Sequence, residues 1–157
     1  MTRLNERIHT RLAPEAAFEY VADFANAMHW DPGVATSQRI DEGPVGAGAR
    51  FRLGVHLGGR VAPMEYRISA FEPPHRVVLV GEGSGVSAVD EIRFAPGGTG
   101  TTIDYVADIQ LGGPLRLLQP FLGPAFARLG RAAVAGMQGT LDARAGVASG
   151  QPGTGPE

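Results

Sequence analysis

The sequence predicts an α+β domain in which a seven-stranded antiparallel sheet packs against a long C-terminal helix. Apolar residues alternate with period two, between regular turn signals, from Val34 to Leu111. Helical spacing then relates Leu118, Leu122, Phe126, Leu129, Ala133, Met137 and Leu141 across residues 114–144. At 157 residues, 43% of them hydrophobic, the chain holds enough material for one core.

The elements follow in order. Leu4 and Ile8 mark a first strand over 3–11. Pro14 suits the first turn of a helix, and Phe18, Val21, Ala22 and Phe24 recur at helical spacing, so the helix covers 14–24. A further helical turn at 26–31 ends at Pro32–Gly33. Gly43–Pro44 separates strands at 34–41 and 48–57, and Gly58–Gly59 makes a two-residue mirror-image turn into a strand at 60–71. Glu72–Pro73–Pro74 stops that strand, because proline cannot continue a central ladder. Strands at 76–83, 86–95 and 100–111 complete the sheet, the last two joined through Pro96–Gly97–Gly98–Thr99. Pro120 and Pro124 make the start of the long helix irregular, so its regular part begins near 124. Small residues on its inner stripe (Ala132, Ala133, Ala135, Gly136, Gly139) either allow close contact or leave space above the sheet. Residues 145–157 carry too little apolar surface to offset their ordering entropy, so 1–144 is the domain and 145–157 a disordered tail.

Composition excludes several chemistries. All 14 basic residues are arginine, which leaves no P-loop, Schiff-base or kinase-type lysine. Without cysteine there is no thiol nucleophile, disulfide or zinc–thiolate site. A formal net charge of −2 gives no footprint for nucleic acid. The amino-terminal stretch, with Arg3, Arg7 and Arg11 and no apolar run, is unlike a signal peptide, and a cytoplasmic location is expected. No segment approaches the length of an apolar span, so no stable membrane insertion is expected. His9, His29, His56 and His75 never fall at metal-ligand spacing, so neither a metal nor a cofactor is expected. No Gly-x-Ser-x-Gly elbow surrounds any serine, and Gly81–Glu82–Gly83–Ser84–Gly85 lacks the third glycine of a dinucleotide cradle.

Hairpin register then assigns faces. The Gly58–Gly59 turn sets Leu57 opposite Arg60, Leu53 opposite Met64 and Phe51 opposite Tyr66. Phe51, Leu53, Val55, Met64, Tyr66 and Ile68 therefore share the covered face, while Arg50, Arg52, His56, Glu65 and Arg67 face water. Arg52 opposite Glu65 reads as an exposed pair of little energetic weight. If the 96–99 turn pairs Ala95 with Gly100, Ile92 opposes Ile103 and Asp90 opposes Tyr105, both facing inward. A carboxylate beside a phenol under an apolar helix is the polar pair that calls for explanation.

The order of elements and a set of local signatures resemble the START-like (SRPBCC) superfamily, and within it the polyketide cyclase/dehydrase and lipid-transport branch. The residues concerned are Pro14, Phe18, Tyr20–Val21–Ala22–Asp23, Asn26, Trp30 and Pro32–Gly33–Val34. Gly43–Pro44, Gly46, Gly48, Glu72–Pro73–Pro74, Arg76 and Gly100–Thr101 follow at the matching spacing, so the resemblance covers about residues 3–144. It implies a helix-grip fold, in which a curved sheet wraps the C-terminal helix around a cavity. It also implies an apolar ligand such as a lipid, sterol or polyketide, with cyclisation or dehydration catalysed in some members.

The expected activity is binding of a hydrophobic or amphipathic small molecule, lipid- or polyketide-like, by a monomer or homodimer. Trp30, Phe51, Leu53, Met64, Tyr66, Ile68, Ile92, Phe126, Leu129 and Met137 are the expected lining, with Asp90 and Tyr105 among them. Trp30 reads equally as a core anchor or a wall at the cavity mouth. Asp90 and Tyr105 read as a mutually satisfied polar pair, as anchors for a ligand, or as acid/base and orienting groups of a cyclase or dehydratase. A third reading is an interaction module whose cavity has filled to become core; a pocket below about 200 Å³ would fit it, being too small for the usual ligand range. Arg116, Arg128, Arg131 and Arg144 on the last helix read as a solvated face, on the premise that the apolar stripe is needed to cover the sheet.

Overall fold

The computed structural model describes residues 2–149. Strand β1 (Thr2–Thr10) is followed by α1 (Pro14–Ala22), a 3₁₀ turn at Phe24–Asn26 and α2 (Ala27–Trp30). Strands β2 (Val34–Arg39), β3 (Arg50–Leu57), β4 (Arg60–Glu72), β5 (Arg76–Gly83), β6 (Val86–Gly97) and β7 (Gly100–Leu111) come next. A 3₁₀ segment at Gly113–Leu118 leads into α3 (Gln119–Ser149). The strands form one antiparallel sheet in the order β1-β7-β6-β5-β4-β3-β2, so the first strand pairs with the last. This is the helix-grip arrangement, a curved seven-stranded sheet closed by a long C-terminal helix.

Local chemistry explains the boundaries. Pro14 starts α1, and the Asp23 carboxylate accepts from Ala25 N–H, ending the helix at Ala22 and opening the 3₁₀ turn instead of carrying helix to 24. The Gly58–Gly59 turn, both residues at positive φ, sets the expected β3–β4 register, with Leu53 opposite Met64 and Phe51 opposite Tyr66. Across that hairpin the ion pair joins Glu65 to Arg50, at 2.9 Å, and not to Arg52 directly opposite.

The β6–β7 register differs from expectation by two residues. The strands run on to Gly97 and Gly100, leaving Gly98–Thr99 as a two-residue turn with Gly98 at φ 58°. Asp90 therefore opposes Ala107, and Tyr105 opposes Ile92. Because side chains alternate with period two, a shift of two keeps both residues on the inner face.

The long helix begins at Gln119, earlier than 124, because Pro120 lies in the first turn, where no intrahelical donor is needed. It also passes the expected boundary at 144: Ala145 is buried in the core, and helix continues to Ser149. The rest of the segment expected as a tail, 150–157, lies outside the described residues. The two halves of α3 differ in their anchorage. In the C-terminal half Val134, Met137, Leu141 and Ala145 are buried. There Asp142 accepts from the Thr10 hydroxyl at 2.7 Å and from Arg11 N–H at 3.0 Å, while Gln138 donates to the His9 carbonyl. In the N-terminal half Phe126 is buried, but Leu129 is 44% exposed, as is Leu118 (50%) in the 3₁₀ segment just before α3, so the stripe read from helical spacing does not cover the sheet along its whole length.

Candidate functional site

Beneath the N-terminal half of α3 lies a cavity of about 140 Å³, between that helix and the inner face of the sheet. Its helical wall is built on Phe126, Leu129, Gly130, Ala133 and Val134. Met64 and Tyr66 of β4, Val86, Ala88 and Asp90 of β6, and Tyr105 and Ala107 of β7 form the wall on the sheet. Ala133 leaves space there, while a Cβ at Gly130 would lie 3.0 Å from Leu4 Cδ1 of β1. By contrast, a side chain at Gly136 would meet the Trp30 carbonyl at 2.0 Å, so that glycine permits close contact between α3 and α2. Of the small stripe expected on the inner side, Ala133 lines the cavity and Gly136 permits close contact, whereas Ala132, Ala135 and Gly139 are exposed.

Asp90 is 7% exposed in this apolar setting. Tyr105, a diagonal neighbour across the β6–β7 ladder, donates its hydroxyl to Asp90 Oδ2 at 2.5 Å. Burial raises the Asp90 carboxyl to about 7, against the opposing effect of the Tyr105 hydrogen bond, and the charges of Asp31 and Asp108 push it further the same way. Burial, followed by the nearby Asp90 charge, lifts both Tyr66 and Tyr105 well above the ordinary phenol range, so both keep their protons. Tyr66 is buried, yet its hydroxyl has no hydrogen-bond partner among the described residues. Gly81, opposite it, makes room for the ring: a Cβ there would lie 2.4 Å from Tyr66 Cε1.

Asp31 is a second carboxylate in the wall, absent from the sequence-based set. It sits at the C-terminal end of α2, where Oδ1 accepts from Gly33 N–H at 2.8 Å. Burial raises its carboxyl, partly offset by that bond. The signal in Trp30–Asp31–Pro32–Gly33 reads as a turn, which it also is, and so conceals the inward position. Glu6 and exposed His56 line the wall as well, whereas no arginine does. The charged side chains of the wall are therefore acidic.

Of the expected lining, Met64, Tyr66, Asp90, Tyr105, Phe126 and Leu129 meet at this cavity. Phe51, Leu53, Ile68, Ile92 and Met137 do not: they are packed in the closed core, because the C-terminal half of α3 and the α1–α2 segment cover them. Trp30 is also core, 2% exposed, with its ring edge-on to Phe24 at 6.0 Å and to Tyr105 at 6.3 Å. Its indole N–H has no acceptor among the described residues. Among those residues no group of three or more His, Asp or Glu is arranged to hold a metal ion.

The sequence profile of the family described as polyketide cyclase / dehydrase and lipid transport matches residues 1–145. The chain belongs to that family. No curated protein matches it in sequence. Among solved structures, the Zhui aromatase/cyclase from Streptomyces sp. R1128 superposes with a TM-score of 0.79 at 15% identity, covering 94% of this chain and 98% of that one. A protein of Thermus thermophilus gives 0.74 at 15% identity, with coverages of 90% and 98%. A START superfamily protein from Mycobacterium smegmatis gives 0.70 at 15% identity, with coverages of 92% and 97%. At such identities the likeness establishes the shared fold of this polyketide cyclase/dehydrase and lipid-transport family member, and the side chains of its cavity carry the rest of the reading.

Proposed function

We propose that this protein binds a neutral, largely apolar small molecule, polyketide- or lipid-like, that bears a carbonyl or hydroxyl oxygen. The observation that carries the reading is the unpartnered Tyr66 hydroxyl, facing the cavity beside the Asp90–Tyr105 pair. A phenol hydroxyl with no protein partner in a largely apolar wall is suited to a ligand oxygen. A carboxylate head group is disfavoured, since Glu6, Asp31 and Asp90 line the wall and no arginine offsets them.

The volume of this partly open cavity limits what is held. At about 140 Å³ it falls below the roughly 200 Å³ under which the interaction-module reading fits, too small for a whole ligand, and matches the size of cavity, about 150 Å³, that accepts one benzene ring. A larger ligand would place one ring or a short acyl segment inside, with its remainder over the rim at half-exposed Leu129.

A second reading, a cyclase or dehydratase, is favoured by the Asp90 carboxyl at about 7, where a group serves as both base and acid near neutrality. Asp90 would take a proton from the carbon next to a carbonyl held by Tyr66. The resulting enolate carbon would then bond to a second carbonyl carbon of the same substrate. The protonated Asp90 would return its proton to the alkoxide so formed, giving a hydroxyl. Asp90 would then take the second proton from the same α-carbon and deliver it to that hydroxyl, which leaves as water as a carbon–carbon double bond forms.

Native mass spectrometry of the purified protein tests the binding reading. A co-purifying apolar molecule is expected, together with roughly tenfold weaker binding of a neutral aromatic ketone by Tyr66→Phe. Tight binding of fatty-acid carboxylates with no response to Tyr66→Phe would overturn it. For the enzymatic reading, Asp90→Asn should abolish turnover of a substrate that still binds; retained turnover would exclude it.

A further inference from the structure

The start of α3 presents an apolar surface that nothing in the described molecule covers. Leu117 is 78% and Phe121 79% exposed, and Leu115 and Leu118 beside them are exposed as well. Large apolar side chains bared in succession are uncommon on a soluble domain and mark a contact surface. Along the helix, Phe121 and Arg128 are seven residues apart and so lie on one face, with Arg131 three residues beyond. Arg116 sits among the leucines of the preceding 3₁₀ segment.

Charge identifies the occupant. Residues 109–141 contain Arg116, Arg128 and Arg131 and no acidic residue, in a chain of formal net charge −2. None of these three arginines has a carboxylate within ion-pair distance among the described residues, although seven such pairs form elsewhere. Apolar side chains that project beside unpaired arginines match an interface of acyl chains beneath anionic head groups. We propose that the 3₁₀ segment and the outward face of the first turns of α3 dock on an anionic lipid surface. Among the described residues no helix is long and apolar enough to cross a membrane, and the contact proposed is a peripheral one. It sets the membrane against the same stretch of helix whose inner side, at Phe126 and Leu129, lines the cavity.

Vesicle co-sedimentation of the full chain tests this, with phosphatidylcholine vesicles and with vesicles that also contain phosphatidylglycerol, at low and high salt. Binding is expected to the anionic vesicles alone and to weaken as salt rises. The triple variant Arg116→Gln/Arg128→Gln/Arg131→Gln should bind about 100-fold more weakly, at about fivefold per arginine. Leu117→Ser/Phe121→Ser should lose roughly tenfold or more. Every substituted residue is exposed, so an unchanged melting temperature will show that the fold is intact. Absence of binding by the unmodified chain, or binding that both variants leave unchanged, would overturn the proposal. Self-association of the unmodified chain that Leu117→Ser/Phe121→Ser abolishes would also overturn it, because the face would then belong to a second copy.

Discussion

Asp90 sets a pH dependence on the whole fold. An unfolded Asp titrates near its ordinary 3.8, while burial raises the folded carboxyl to about 7. Between those values the folded state binds the extra proton, so the contribution of Asp90 to stability is fully present below about 4. It is lost as pH rises through about 7 and changes no further above that. A rise of this size corresponds to on the order of 4 kcal/mol. Asp90→Asn should flatten this stretch of the stability curve, and urea unfolding at pH 5 and pH 8 measures it. An undiminished difference between the two pH values would mean that Asp90 is not the group responsible. The residue-scale reading from sequence was right in kind. Alternation identified an inward carboxylate and phenol, and only their partner assignment moved, because Pro96–Gly97–Gly98–Thr99 offers more than one place for a turn.

At the scale of elements, α3 works as two segments. Its C-terminal half is held to β1 and α2 by Asp142, Gln138 and the close pass at Gly136; its N-terminal half stands over the cavity. Substitutions at two glycines one turn apart should therefore act in opposite directions. Gly136→Ala puts a Cβ at 2.0 Å from the Trp30 carbonyl, and forcing the backbones apart should cost about 1–3 kcal/mol despite the gain in helix propensity. Gly139→Ala meets nothing within 4 Å and should stabilise by about 0.5–1 kcal/mol. Chemical denaturation of the two variants checks the contrast; equal effects would contradict the tight helix crossing. Helical spacing could not foresee this division. A repeat of Leu118, Leu122, Phe126 and Leu129 shows which residues share a face, but not at which turn the sheet beneath falls away.

For the whole molecule, the small cavity volume and acidic wall make ligand binding a question of both size and charge. A neutral one-ring ketone present at 100 times its dissociation constant should add about 2.7 kcal/mol of stability. For a domain of this length that raises the melting temperature by roughly 5–10 °C. A benzoate-type carboxylate of the same size should produce little shift at pH 8, when Asp90 is ionised. Thermal-shift measurements at pH 5 and pH 8 separate the two, and equal shifts for both compounds at both pH values would remove the electrostatic basis for selectivity. Family membership was legible because turn chemistry repeats locally: Gly43–Pro44, Gly58–Gly59 and Glu72–Pro73–Pro74 each act within a few residues. Asp31 was not, because the same carboxylate that closes a turn on Gly33 also faces the cavity from a distant element.

What the chain alone determined was the class of fold, the number of strands and their order along the chain, and the side of the sheet on which residues of the β3–β4 and β6–β7 hairpins fall. Those properties depend on period, turn residues and short-range sterics, all of which act along the sequence. Tertiary structure decided which inward residues line a hollow and which close the core, since that depends on how far the helix stands from the sheet at each turn. It also decided that Leu117 and Phe121 face outward beside unpaired arginines. An apolar residue carries no local mark of whether another element will cover it.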